Sequence, residues 1–270
     1  MAAVDPFQPL CQGHAVPRLE HKVVAVAGGA GGIGTATCER LAAEGAAVVV
    51  GDLDGDAARR VARGLTDAGG RAVGVDLDVT DESSVRGLIE TATSSFGGLD
   101  GLHANAADLS PATIGGDTDV VSMSTEVFDH VLDVNLRGHV LCTRHAVPAL
   151  LERGGGAIVY TASAAAFLGE PTRPAYAISK AGLCALVRHV AARWGRERIR
   201  ANAVAPGLTV TPAMAEHDIG DILARALRQT RSWRLGEPDD IAAMVAHLLS
   251  DDGQWINGQA ICVDGGTVLR

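Results

Sequence analysis

The sequence predicts an α/β fold in a single domain: a doubly wound parallel sheet of seven strands with helices on both faces. Two observations carry this. Short runs rich in β-branched residues recur along the chain with helical patterns between them. A glycine-rich stretch follows the first run and opens the first helical pattern. Such alternation calls for parallel strands, because each return crossing is a helix that covers the sheet.

The first strand is Val23–Ala27, a short apolar run. The glycine stretch Gly28–Gly34 comes next, then a helical pattern from Thr35 to Glu44. Between a strand and a helix, glycines let the backbone turn tightly, approach a pyrophosphate and aim helix N-terminal N–H groups at it. A flexible linker is the competing reading. The second strand, Ala47–Asp52, ends in a carboxylate about twenty residues past the loop, where it can accept hydrogen bonds from an adenosine ribose. A helix N-cap or turn residue is the lesser alternative for Asp52. Further strands fall at Ala72–Asp76, Gly101–Ala104, Ala157–Thr161, Ala201–Ala205 and Ala260–Val263. Helices are expected at Asp81–Phe96, Ala175–Trp194 and, as one long element, Thr125–Leu151. Gly154–Gly156 reads as a helix stop. In a doubly wound sheet ligands bind beyond the C-terminal ends of the strands, which is where Asp52, Asn105, Ser163 and Pro206 fall.

The chain holds only two lysines and two tyrosines, and one of each stands in Tyr176-Ala-Ile-Ser-Lys180. On a helix, positions four apart share a face. A phenol ordinarily titrates near pH ~10. A positive charge about 4 Å away at an effective dielectric of about 20 favours the phenolate by roughly 4 kcal/mol. That corresponds to about three pKa units, enough to make the phenol a useful acid or base near neutrality. An accidental pair on a solvated helix face is the alternative.

Together these residues resemble the short-chain dehydrogenase/reductase family from about Leu19 to Gly266. The family's Thr-Gly-x-x-x-Gly-x-Gly pattern is met by Ala27, Gly28, Gly32, Ile33 and Gly34, its Asp-Val adenine contact by Asp78-Val79, and its Asn-Ala-Gly segment by Asn105-Ala106-Ala107. Its helix asparagine is matched by Asn135, and its serine, thirteen places before the tyrosine, by Ser163. Its Pro-Gly and following threonine are matched by Pro206-Gly207 and Thr211, with Thr209 between them, and its tail by Val263-Asp264-Gly265-Gly266. Two departures, Ala27 for threonine and Ala107 for glycine, bear on the rigidity of their loops.

The resemblance implies a Rossmann-like fold and a bound nicotinamide cofactor. Tyr176 then exchanges a proton with an alcohol or ketone oxygen, Ser163 donates a hydrogen bond to that oxygen, and Lys180 tunes the phenol and holds the nicotinamide ribose. Asn135 fixes a water that relays protons towards Lys180, or is simply a satisfied helix asparagine. Asp52 repels a 2′-phosphate, and Gly31 and Leu53 stand where a basic partner for one is expected, so NAD(H) is expected over NADP(H). Such enzymes pair through the two long helices, which carry apolar residues on more than one face, so a homodimer or homotetramer is expected. Enoyl reduction or epimerisation on the same scaffold, and a non-catalytic NAD-binding sensor or scaffold, are the other readings.

Composition bounds the rest. A net charge of −9 argues against a sequence-independent grip on nucleic acid. Aromatics make up only 3%, so Val, Ala and Leu must fill the core. Five scattered cysteines without a Cys-x-x-Cys and nine histidines without ligand spacing predict no disulfide framework and no metal site, and fit a reducing cytoplasm. No apolar stretch of about eighteen residues is present, so no membrane span is expected. Residues 1–18, with three prolines and no apolar core, read as an N-terminal extension ahead of a domain at 19–270. Two segments, 108–124 (a polar loop) and 211–234 (partly helical), border the ligand edge and read as substrate wall and lid, or as ordinary surface connections. The series Arg225, Arg228, Arg231 and Arg234 reads as a solvated helix face, with contact to an anionic substrate as the lesser alternative.

Overall fold

The computed structural model describes residues 17–215 and 220–269. Most of the 1–18 extension and part of the 211–234 segment lie outside the described residues.

The strands are β1 (Val23–Ala27), β2 (Ala47–Asp52), β3 (Arg71–Asp76), β4 (Gly101–Ala104), β5 (Gly156–Thr161), β6 (Ile199–Pro206) and β7 (Ala260–Val263). They form one sheet in the order β3-β2-β1-β4-β5-β6-β7. Every pairing is parallel, with Val23 opposite Ala47 and Gly101 opposite Ala157, for example. The strand order reverses between β1 and β4, and that switch point opens a crevice at the C-terminal ends.

The helices are α1 (Gly32–Ala43), α2 (Gly55–Asp67), α3 (Glu82–Phe96), α4 (Pro111–Gly116), α5 (Thr125–Leu132), α6 (Gly138–Glu152), α7 (Pro174–Trp194), α8 (Pro212–Ala215), α9 (Gly220–Gln229) and α10 (Pro238–Leu249). Each face of the sheet has its own core. Val24, Val26, Val48 and Val50 pack with Leu41 of α1, Leu65 of α2 and Val245 of α10. Val23, Ala25, Val49 and Tyr160 pack with Leu88 of α3, Leu150 of α6 and Leu183 of α7. Full burial of each branched side chain contributes about 1.5–3 kcal/mol. Local signals set the ends of α3: the Asp81 side chain accepts the N–H of Ser83 at 3.0 Å, and Gly97 closes the helix at φ +84.

Three expectations are corrected. The helix predicted over 125–151 is divided: α5 and α6 are joined by a π-helical segment, Asp133–Arg137, that widens the turn around Asn135. Hydrophobic periodicity does not distinguish such a segment from α-helix. The predicted loop 108–124 contains α4, begun by Ser110 as N-cap and Pro111 in the first turn. The arginine series does not form one face, since Arg234 makes a two-pronged ion pair with Asp240 at 2.6 and 2.8 Å, while Arg225 and Arg228 are exposed.

Among the described residues, no helix is long and apolar enough to cross a membrane, and no cluster of His, Cys, Asp or Glu is arranged to hold a metal ion.

Candidate active site

The glycine loop is held from below and from both sides. Gly28 and Gly29 donate to the Gly51 carbonyl at 2.8 and 2.9 Å, Asn105 Nδ2 donates to the Gly28 carbonyl at 2.8 Å, and Ala30 N–H donates to Asp52 Oδ2 at 2.9 Å. With Ala27 in place of a threonine, these bonds supply the bracing. Two glycines are obligatory. Gly28 has φ +82, and a Cβ there meets the Ala106 backbone at 2.7 Å; a Cβ at Gly34 collides with the Gly28 carbonyl oxygen. Gly31 caps α1 without a side chain, and Thr211 packs its methyl against Gly32. The result is a bare backbone cradle at a helix N-terminus, which fits a pyrophosphate.

Around the cradle, Asp52 presents its carboxylate at the end of β2 and Leu53 is exposed beside it. Asp78 accepts the N–H and hydroxyl of Thr80 at 2.8 and 2.7 Å, while Val79 is buried against Gly138. Asn105, Ala106 and Ala107 follow β4, and Pro206 ends β6 with Gly207 directly after it. Thr209 is buried and bridges to Gly236. The cofactor residues expected from sequence ahead of α7 therefore lie on one edge of the sheet, at the ends of β1, β2, β3, β4 and β6 or in the segments that follow them.

The residues expected from sequence to handle the proton stand just past β5 and in the first turns of α7. Ser163 caps a 3-10 turn, Ala164–Ala166, its hydroxyl accepting the Ala165 N–H at 3.2 Å. Tyr176 lies in the first turn of α7 and Lys180 one turn later, with Nζ 5.7 Å from the centre of the phenol ring. Lys180 is 1% exposed and donates to the Thr161 carbonyl at 2.9 Å. Its electrostatics depart from expectation. Burial pushes the Tyr176 phenol up, opposed by a hydrogen bond with Ser163 and by the Arg173 charge. Burial also brings Lys180 down to about 8. Desolvation disfavours each charged form, and at this separation it outweighs the attraction expected between the pair.

Asn135 is fully buried in the π-helical segment; Oδ1 accepts the Asp108 N–H at 3.0 Å, and Nδ2 has no partner among the described residues. Asn135 and Tyr176 line a cleft whose wall includes Leu109, Thr113, Ile114 and Val131.

A family model described as enoyl-(acyl carrier protein) reductase matches residues 28–268. A probable short-chain type dehydrogenase/reductase of Bradyrhizobium diazoefficiens is 39% identical over 94% of this chain and 89% of its own length.

The chain belongs to the short-chain dehydrogenase/reductase family.

It is similar at 39% identity to a cis-4-hydroxycyclohexanecarboxylate dehydrogenase of Sinomonas cyclohexanicum, over 91% of this chain and 96% of that one. A 7alpha-hydroxysteroid dehydrogenase of Bacteroides fragilis is 34% identical over 94% of this chain and 96% of its own. As a short-chain dehydrogenase/reductase the chain is an oxidoreductase, and its family uses nicotinamide cofactors.

Three features of this short-chain dehydrogenase/reductase were not found from sequence. Thr161 donates its hydroxyl to Asn105 Oδ1 at 2.9 Å, so the buried His103, also 2.9 Å away, must donate to Thr161 through Nε2. This chain of bonds ends on the glycine loop; a histidine inside the apolar strand β4 was its one visible signal. Asp108 takes hydrogen bonds from Thr113, Ser110 and His130, which hold its carboxyl at about 2 against burial. Asp117 is buried at the N-terminus of α7, and nothing in the sequence marked it.

Proposed function

We propose that this oxidoreductase transfers a hydride between NAD(H) and the carbinol or carbonyl carbon of a small-molecule alcohol or ketone. The observation that carries the reading is the pairing of Ser163 and Lys180 around the Tyr176 phenol, beside a glycine cradle fitted to a dinucleotide. The nicotinamide ring, when bound, supplies the hydride chemistry. Tyr176 takes the proton from the alcohol or returns it to the ketone at its phenolic oxygen. Ser163 donates to the substrate oxygen, where charge develops. Lys180, anchored on Thr161, stands one turn from the phenol and would hold the nicotinamide ribose. Asn135 positions the proton path towards Lys180, a role supported by its unpartnered Nδ2.

Asp52 supports NAD over NADP: its carboxylate lies beside the cradle, and neither Gly31 nor Leu53 offers a positive charge to a 2′-phosphate. Asp78, Val79, Asn105, Ala106, Ala107, Pro206, Gly207, Thr209 and Thr211 complete the proposed cofactor surface. The apolar cleft side chains Leu109, Ile114 and Val131, together with relatives named for a hydroxycyclohexanecarboxylate and a hydroxysteroid, support a substrate with a hydroxyl on an apolar body. Exposed Val140 on α6 and Ile178 on α7 support pairing of these helices between copies. The scattered cysteines, without a Cys-x-x-Cys, support a cytoplasmic enzyme.

The description of the matching family model favours one other reaction, enoyl reduction. Following NADH and NADPH absorbance over a panel of alicyclic alcohols, their ketones and an enoyl thioester tests both. Turnover of alcohols with NAD supports the proposal; turnover confined to the enoyl thioester replaces it. Tight NADH binding with no turnover anywhere on the panel points instead to a sensor.

A further inference from the structure

We propose that Asp117 is a positioning residue that locks the substrate wall, residues 108–117, to the start of the helix carrying Tyr176. The inference rests on the proposed role of Tyr176. The first turn of an α-helix leaves N–H groups without partners, which the N-cap side chain usually satisfies. In α7 it does not. Arg173 occupies the N-cap at φ 64 and ψ 48 with no side-chain capping bond to the helix, and Pro174 has no N–H to offer. The two donors that follow belong to Ala175 and to Tyr176 itself. Both go to one carboxylate from far upstream: Asp117 Oδ1 accepts Ala175 N–H at 3.1 Å and Oδ2 accepts Tyr176 N–H at 2.9 Å.

The main chain doubles the connection, because the Arg173 N–H donates to the carbonyls of Asp117 and Thr118 at 3.0 and 3.1 Å. The left-handed conformation at Arg173, costly for a residue with a Cβ, is held by these bonds. Asp117 is only 2% exposed, so water does not compete for its carboxylate, and its negative charge suits a helix N-terminus. Asp117 also lines the cleft with Thr113 and Ile114. At the other end of the segment, the Asp108 N–H donates to Asn135. The wall is therefore pinned at one end to the residue proposed for the proton path and at the other to the residue proposed to exchange the proton. A substrate pressing on α4 is felt at Tyr176 through Asp117.

The test uses Asp117→Ala and Asp117→Asn in the full chain, with Tyr176→Phe as reference. NADH affinity comes from fluorescence titration, kcat and KM from the alcohol that the wild type oxidises best, and backbone protection from amide hydrogen exchange. Asp117→Ala is expected to lower kcat about ten- to a hundredfold, leave NADH affinity within about twofold, and speed exchange at 173–177 and 108–117 together. Asp117→Asn, which keeps one acceptor oxygen, should fall between Asp117→Ala and wild type, and it serves alone if the alanine variant does not fold. Unchanged kcat in the variant that folds overturns the proposal, as does a loss of NADH affinity that matches the loss of kcat. Faster exchange at 173–177 with 108–117 unaffected also overturns it, because the two segments are then not coupled. If Tyr176→Phe turns over normally, it is the reading of Tyr176 that fails, and the exchange data still decide the coupling.

Discussion

Lys180 donates its ammonium to the carbonyl of Thr161 at 2.9 Å, and the hydroxyl of the same threonine donates to Asn105, which holds the carbonyl of Gly28. A single residue at the end of β5 thus serves the proton side of the crevice through its backbone and the cofactor side through its side chain. Thr161→Val keeps the carbonyl for Lys180 and removes the brace on the glycine loop. Losing one such hydrogen bond costs about 1 kcal/mol, or roughly fivefold. NADH affinity is expected to weaken by about that factor with kcat little changed, as read by fluorescence titration and steady-state kinetics. An unaltered affinity removes Thr161 from the chain of support.

Tyr176→Phe deletes the proposed acid and base while leaving the ring in place. Turnover should fall by about 10²–10⁴, the usual worth of a positioned proton-transfer group. NADH binding should stay within about twofold of wild type. Near-normal turnover refutes the proton role.

Because burial pushes the Tyr176 phenol up, the phenolate that accepts a proton is a minor form at neutral pH. Alcohol oxidation should therefore rise with pH, by up to about tenfold per unit, from pH 7 towards 10. Ketone reduction uses the protonated phenol and should stay flat over the lower part of that range. Initial rates in both directions across pH 6–10 check this; a pH-independent oxidation rate contradicts it.

Asp52→Ser removes the negative charge proposed to meet the adenosine ribose and keeps a small acceptor near Ala30. The ratio of kcat/KM for NADP to that for NAD should rise at least about tenfold, since like-charge juxtaposition costs several kcal/mol. Separate titrations with each cofactor measure it. An unchanged ratio means that Asp52 does not select the cofactor.

His103 and His139 are buried, and burial lowers both to about 3. Their ordinary value when unfolded is ~6.5. The unfolded chain therefore binds protons that the folded chain refuses, so this contribution is complete above pH ~6.5 and is lost as pH falls towards 3. Each histidine adds up to about 1.4 kcal/mol of destabilisation per unit below pH 6. Urea midpoints between pH 7 and 4.5 should fall, and His103→Gln, which can still donate to Thr161, should flatten the decline. An identical slope in that variant rules His103 out as a contributor.

The strands were legible because their side chains carry the signal locally. Val23–Ala27, Ala47–Asp52, Gly101–Ala104 and Ala260–Val263 have the same ends in sequence and structure; the first three are buried on both faces and mostly apolar, and the edge strand Ala260–Val263 is a short apolar run bounded by polar residues. The glycine loop was legible for a similar reason, as Gly28 and Gly34 are positions where backbone conformation or contact excludes a side chain. The π-helical segment around Asn135 was not, because it holds no glycine or proline to mark a departure from α-helix and its geometry depends on what packs around it. The helix α4 is only six residues long, so Ser110-Pro111 is its one local signal.

The strand–loop–helix order, the doubly wound parallel sheet and the spacing of Ser163, Tyr176 and Lys180 are written along the chain itself. These follow from periodicity, backbone conformation and helical repeat, all properties of near neighbours along the chain. The tertiary structure alone decided that Asp117 caps the helix of Tyr176 across 59 residues, that His103 reaches Gly28 through Thr161 and Asn105, and that burial drives the Tyr176 phenol up. Desolvation and long-range hydrogen bonds depend on which groups folding brings together and which it takes from water, and no local pattern of residues encodes either.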